Sequence, residues 1–300
     1  MGFVDVEAIS FVCDERHPSR RLPKSQCART PRHMQDQPEE AILPRVAAFS
    51  GRPVRRMREF QGLMNLLPIL AASGAACAAG GILSWAAVAP SAQLFGRTIC
   101  TTEDSGALAL TFDDGPNPSV TPMLLDLLDR HKMRASFFLI GRHVRAFPEL
   151  AKEVAARGHA IGNHTDTHPK LTFLSPGRIS EELSRCDEAI EIATGQRTHW
   201  IRPPFGFRGP QLAPILRRRG DADMVMWSIW ARDWRPQPAE PVINRLRRAR
   251  GGDIVLLHDG DHRVLQGDRR HTVAALAHWL PRWKDAGLRF VTLGELKKKG

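Results

Sequence analysis

Seven short apolar runs alternate with amphipathic segments between residues 107 and 293, and this alternation restricts the fold more than any other feature. The runs cover 107–112, 134–140, 159–163, 200–202, 224–230, 253–258 and 289–293. The intervening spacing predicts helices over 119–131, 148–157, 178–193, 210–219, 239–249 and 272–286. Parallel strands need a long crossover, usually helical, so strand–helix alternation of this kind predicts an α/β domain on a parallel sheet. In such sheets, ligands and reacting groups collect at the C-terminal strand ends.

Titratable residues gather at those ends. The first run closes on T-F-D-D-G-P, residues 111–116, where Asp113 and Asp114 are adjacent and Gly115-Pro116 forces a turn. Adjacent carboxylates repel and are costly to desolvate, so a fold that buries them sets a cation beside them. A helix cap or solvated turn is the plain alternative for this pair alone. The third run ends in H-T-D-T-H, with His164 and His168 four residues apart, so that one helical turn or a tight loop aims both rings at one point. Two imidazoles and a carboxylate form a three-donor set with an open position, the arrangement of a catalytic metal. Asp166, between them, is expected to cap the turn. The fourth run ends in Arg202 of R-P-P-F-G, whose charge would hold Asp113 ionised. The fifth is followed by Asp233-Trp234 and the sixth ends in His258-Asp259. An Asp233 carboxylate orienting His258 would raise the imidazole pKa and fit it for general-acid work. Each of these has a plain structural reading, a surface histidine pair or a core ion pair. Their convergence on one rim from five strands favours the chemical one.

The N-terminal third reads differently. Residues 1–56 are rich in Pro, Arg and Gln and lack a sustained apolar period, as expected of a poorly structured tail or a mis-assigned start. No charge occurs between Glu59 and Arg97, and the stretch from Leu63 to Ala89 is long enough to cross a bilayer as a helix. Arg52, Arg55, Arg56 and Arg58 precede it, which predicts a cytoplasmic N-terminus and an exported domain. Residues 57–90 thus read as a membrane anchor or as a signal segment cleaved after Ala87-Val88-Ala89, with a buried Ala-rich core helix as a further alternative. Residues 91–105 read as a linker and 106–297 as the catalytic domain. The net charge is +11, but no nucleic-acid motif accompanies the basic runs, so no nucleic-acid partner is expected. The five cysteines include no close pair and form neither a disulfide framework nor a structural zinc site.

The five ordered motifs T-F-D-D-G-P, H-T-D-T-H, R-P-P-F-G, R-D-W and L-L-H-D resemble those of the polysaccharide deacetylase family, carbohydrate esterase family 4, with its NodB homology domain. The match runs roughly from Ala107 to Leu296. The resemblance implies a distorted (β/α)7 barrel and a hydrolase that removes N-acetyl groups from amino sugars. It implies Asp113 as base, Asp114, His164 and His168 as metal ligands, Arg202 tuning Asp113, and Asp233 orienting the acid His258. It further implies Phe205 as a backbone donor to the oxyanion and Trp234 and Leu256 as walls for the acetyl methyl. The sequence departs from the family where an Asp often stands three residues before Asp233, here Trp230. A divalent cation is expected, with zinc favoured and cobalt, nickel or manganese compatible with the same donors. The substrate is expected to be an N-acetylated glycan such as a chitooligosaccharide, peptidoglycan or an exopolysaccharide. Alternatives are the same chemistry on O-acetyl xylan or another acylated substrate, and a non-catalytic glycan-binding envelope protein. Neither the glycan nor the oligomeric state is specified by the sequence.

Overall fold

The computed structural model describes residues 54–220 and 222–296. Most of the expected N-terminal tail and the final Lys297-Lys298-Lys299 run lie outside the described residues. A division falls at Arg58, and the unit from Glu59 onward holds all the strands described below.

Helix α1 (Val54–Val88) comes first, followed by β1 (Thr98–Ile99), β2 (Ala107–Gly115), α2 (Thr121–His131), β3 (Ser136–Leu139), α3 (Gly141–Ala146) and α4 (Pro148–Ala156). Next are β4 (Ala160–Asn163), α5 (Pro176–Thr194), β5 (Trp200–Ile201), α6 (Leu212–Arg218), β6 (Asp223–Val225) and β7 (Ile229–Trp230). The chain closes with α7 (Ala239–Leu246), β8 (Ile254–His258), α8 (Arg270–Asp285) and β9 (Arg289–Phe290). The sheet order is β1-β6-β5-β4-β3-β2-β8-β7, with β9 pairing the start of β2, and every strand pair is parallel. Among the described residues there are nine strands instead of the seven expected. The run 224–230 breaks into β6 and β7, and β1 comes from residues expected to be linker. Thr98 and Ile99 pair with Met224 and Val225, so this segment is an edge of the sheet.

The sheet is curled, and its two faces bury different cores because side chains alternate along a strand. Leu108, Leu110 and Phe112 of β2 point outward and pack with Leu124, Leu128, Leu276 and Leu280 of the helices. Ala107 and Ala109 point inward with Phe138, Val225 and Ile254. The same inward register carries on through Thr111 to Asp113, and from Ile254 through Leu256 to His258. The interior is therefore apolar at its base and titratable at the C-terminal rim. Arg202 crosses that interior: Nη1 donates to Thr111 Oγ1 and Asp113 Oδ1, both at 2.8 Å, Nη2 to Met226 O at 2.9 Å and Nε to Val225 O at 3.1 Å. Cys77, Cys100 and Cys186 are free thiols.

Candidate active site

Two adjacent strands place the central groups. Asp113 of β2 is in register with His258 of β8, so the two inward-facing side chains stand side by side. Asp113 Oδ1 is bound by Arg202, and its Oδ2 lies 3.6 Å from His164 Nε2. Asp114 turns the other way because its backbone is left-handed (φ 72°). The turn below it needs glycine. A Cβ on Gly260 would collide with the Asp114 carbonyl, and one on Gly115 with the Asp259 carboxylate.

His164 and His168 extend from the end of β4 in a tight loop rather than a helical turn, with Thr165 (φ 67°) and His168 (φ 62°) both left-handed. Asn163 Oδ1 accepts the Thr165 N–H at 2.8 Å and Thr165 Oγ1 accepts the His168 N–H at 3.1 Å. These residues cap the loop, and not Asp166, whose carboxylate pairs instead with Arg145 at 2.6 Å and Arg185 at 3.2 Å. The His164 ring donates from Nδ1 to the Arg202 carbonyl at 2.7 Å, which leaves the Nε2 lone pair free.

Asp114 Oδ1 lies 3.6 Å from His164 Nε2 and 3.2 Å from His168 Nε2, and donor atoms of the three residues all fall within 4.8 Å of one another. Asp114 Oδ1 is buried without a hydrogen-bond partner. Burial opposes ionisation of Asp114, but the imidazoles of His168, His262, His258 and His164 outweigh it and hold the carboxyl well below the usual carboxylate range. Burial drives the His168 imidazole well below its ordinary value against the pull of Asp114. A buried carboxylate oxygen lacking a hydrogen-bond partner, with two imidazole nitrogens beside it, fits a divalent cation.

On the other side, Asp233 Oδ1 bonds His258 Nδ1 at 2.8 Å, and its Oδ2 accepts the His258 N–H at 2.9 Å and the Thr272 hydroxyl at 2.7 Å. Burial disfavours the charged form of His258, yet Asp233, with Asp114 and Asp113 beyond it, raises its pKa to about 9. Burial likewise works against the Asp233 charge, and His258 reverses it, so that the Asp233 pKa falls. Leu256 is buried two residues below His258 on the same face. Phe205, left-handed at φ 58° and 42% exposed, sets its ring edge-on to His168 at 4.6 Å. Trp234 is half-buried and stacks on the more exposed Trp230 at 4.7 Å.

Sequence reasoning missed His262. Its ring stacks on His168 at 4.3 Å and its Nδ1 lies 3.7 Å from Asp114 Oδ2. Asp261 beside it is held by the buried Arg269 at 2.7 Å, which also donates to the Trp234 carbonyl. The only signal was its position four residues past His258, in a loop with no period to read.

A polysaccharide deacetylase family model matches residues 101–220. A peptidoglycan-N-acetylglucosamine deacetylase of Bacillus cereus is 39% identical over 198 residues, covering 63% of this chain and 87% of that protein. A chitooligosaccharide deacetylase of Azorhizobium caulinodans is 34% identical over 197 residues, covering 63% and 93%. The crystal structure of the Bc1960 peptidoglycan N-acetylglucosamine deacetylase superposes with a TM-score of 0.62 at 32% identity, covering 68% of this chain and 93% of that one.

Proposed function

The chain belongs to the polysaccharide deacetylase family, carbohydrate esterase family 4, and on that premise we propose that it removes N-acetyl groups from an amino-sugar glycan of the cell envelope, with Asp113 as base and His258 as acid. The observation that carries this reading is the pairing of Asp113–Arg202 and His258–Asp233 on neighbouring strands, beside the Asp114, His164 and His168 donors. When bound by those three residues, a divalent cation, zinc for preference, supplies Lewis-acid polarisation of the acetyl carbonyl and acidifies water.

The protein's own groups move the protons. Asp113, fixed by Arg202 in an orientation that leaves Oδ2 facing the site, takes a proton from water as the oxygen attacks the amide carbon. The tetrahedral adduct carries its charge on the former carbonyl oxygen, to which the Phe205 backbone N–H can donate. His258, protonated at neutral pH, gives its proton to the amide nitrogen, the C–N bond breaks, and acetate and the free amine leave. Leu256 and Trp234 then wall the methyl group, and Trp230 and Phe205 present aromatic surface for sugar rings at the rim. We place the domain outside the cytoplasm on α1, a 35-residue helix whose window Ala71–Val88 is long and apolar enough to cross a bilayer.

Acetate release from N-acetylglucosamine oligomers by the purified chain tests the reading. The expected result is release that a chelator abolishes, zinc restores and Asp113→Ala lowers by at least about 100-fold. Saccharide binding without release from any acetylated glycan, unchanged by Asp113→Ala, would favour a binding protein instead.

A further inference from the structure

Arg208 lies three residues beyond Phe205 and is fully buried, yet no carboxylate faces it among its hydrogen-bond partners. Its Nη2 donates to three main-chain carbonyls at the end of α1 and just beyond: Ala86 at 3.1 Å, Ala92 at 3.3 Å, and Ala89. Its backbone N–H donates to a fourth, Ala87 O, at 3.0 Å. The other guanidinium nitrogens have no partner among the described residues, so there the Ala86, Ala89 and Ala92 carbonyls are all that satisfies a buried cation. The last carbonyls of a helix lack intrahelical donors and carry partial negative charge, so a buried guanidinium is a matched cap for them. Ala86, Ala92 and Phe95 pack as a small buried cluster around the contact.

The chain beyond is equally fixed. Pro90 O accepts the Thr98 hydroxyl at 3.0 Å, and the Gln93 side chain accepts from Thr98 N at 2.8 Å and donates to Thr98 Oγ1 at 2.9 Å. From Ala86 to the edge strand β1 there is no slack segment. In contrast, residues 71–85 are exposed throughout, including Ile82, Leu83 and Trp85.

We propose that α1 is retained in the mature protein, that Arg208 locks its last turn to the loop after Phe205, and that this lock holds the active site close to a bilayer crossed by α1. The membrane part rests on the reading of α1 given above. Cleavage after Ala89 would remove two of the three guanidinium acceptors, the Ala87 acceptor of the backbone N–H and the Ala86 packing, so the Ala87-Val88-Ala89 sequence is part of the contact that the lock retains. A tether without slack restricts the enzyme to glycan close to the membrane surface.

The experiment uses the full chain with a C-terminal tag, expressed in a bacterial envelope. Intact mass gives its N-terminus, carbonate washing of membranes tests insertion, and thermal midpoints in detergent compare wild type with Arg208→Met. We expect an N-terminus upstream of residue 71, retention in the washed membranes, and a midpoint lower by about 5 °C or more in the variant. An N-terminus between residues 88 and 92 overturns retention, and this measurement needs only the wild type, so a variant that fails to fold leaves it intact. A retained α1 with an unchanged midpoint in Arg208→Met overturns the lock. A retained α1 and a lowered midpoint, with release by carbonate, overturns the membrane reading and upholds the lock. None of these readouts uses deacetylation, so failure of the proposed activity registers separately.

Discussion

Asp233 acts on His258 twice: its bond to the ring at Nδ1 favours the imidazolium, and the bond it accepts from the backbone N–H keeps the carboxylate ionised. A general acid must hold its proton, so with a pKa of about 9 His258 remains competent through neutral pH and fails as pH rises through that value. In Asp233→Asn the ring loses the charge that raised its pKa. The alkaline limb of kcat/KM should move toward the ordinary imidazole value, with kcat at pH 8 falling about 100-fold. A bound cation acts on both proteins alike, so comparing the two zinc-loaded profiles isolates Asp233; superimposable alkaline limbs would remove its assigned effect. These residues were readable because each ends an apolar run, where topology alone places it on the rim. His262 was not, because only folding brings its loop over His168. Its Nδ1 faces the outer oxygen of Asp114, so His262→Ala should weaken zinc binding about 10-fold by calorimetry. An unchanged affinity would reduce His262 to a lid on His168.

Among the elements, β2 carries the site because it pairs with β3 on one side and β8 on the other, and its end is packed so closely that two glycines are required. Gly260→Ala should displace the Asp114 carbonyl, lowering stability by about 1–3 kcal/mol and weakening zinc binding together, as chemical denaturation and metal titration would show. Loss of stability with full zinc affinity would mean that Asp114 tolerates the shift. Arg202 joins β5 to β2 and to the end of β6 through four hydrogen bonds, so Arg202→Met should cost about 3–5 kcal/mol by leaving Asp113 buried without its cation. The long alternating runs were legible, since a period of two and a period of 3.6 differ clearly over several residues. The two-residue strand β1 and the six-residue helix α3 were not, and β7 was read only as the end of the run 224–230. Elements this short show no period and exist because neighbouring strands and loops supply their hydrogen bonds. The run 224–230 broke for a related reason: its middle serves Arg202 through the Met226 carbonyl rather than a strand partner.

For the molecule as a whole, the sequence distinguished an apolar N-terminal helix from the domain but drew a linker between them that the structure replaces with a sheet edge, because Thr98, Gln93 and Pro90 bond one another across a distance in sequence that carries no pattern. Stability should also depend on pH in a way set by buried imidazoles at opposite ends of the sheet. His159, 3% exposed, accepts the Ala135 N–H at Nδ1 and must be neutral to do so, and burial takes its pKa down to about 4. The unfolded chain takes up that proton near pH 6.5, so the stability His159 contributes is present above 6.5 and lost as pH falls toward 4. His258 has the reverse sign: its folded pKa of about 9 gives a contribution complete below 6.5 and lost as pH rises through 9. Asp259, buried and pushed up to about 7, gives a contribution that is lost as pH rises from about 4 to 7, and so opposes His159 over the same range. Thermal midpoints of the chelated protein should therefore fall toward alkaline pH, while the acid limb is the difference between the His159 loss and the opposing Asp259 gain. His159→Gln should remove the His159 loss from the acid limb between pH 7 and 4, so that the variant's gap to wild type narrows as pH falls, and Asp233→Asn should flatten the alkaline limb between pH 6.5 and 9. A His159→Gln curve running parallel to wild type from pH 4 to 7 would mean that the acid limb comes from groups other than this neutral imidazole.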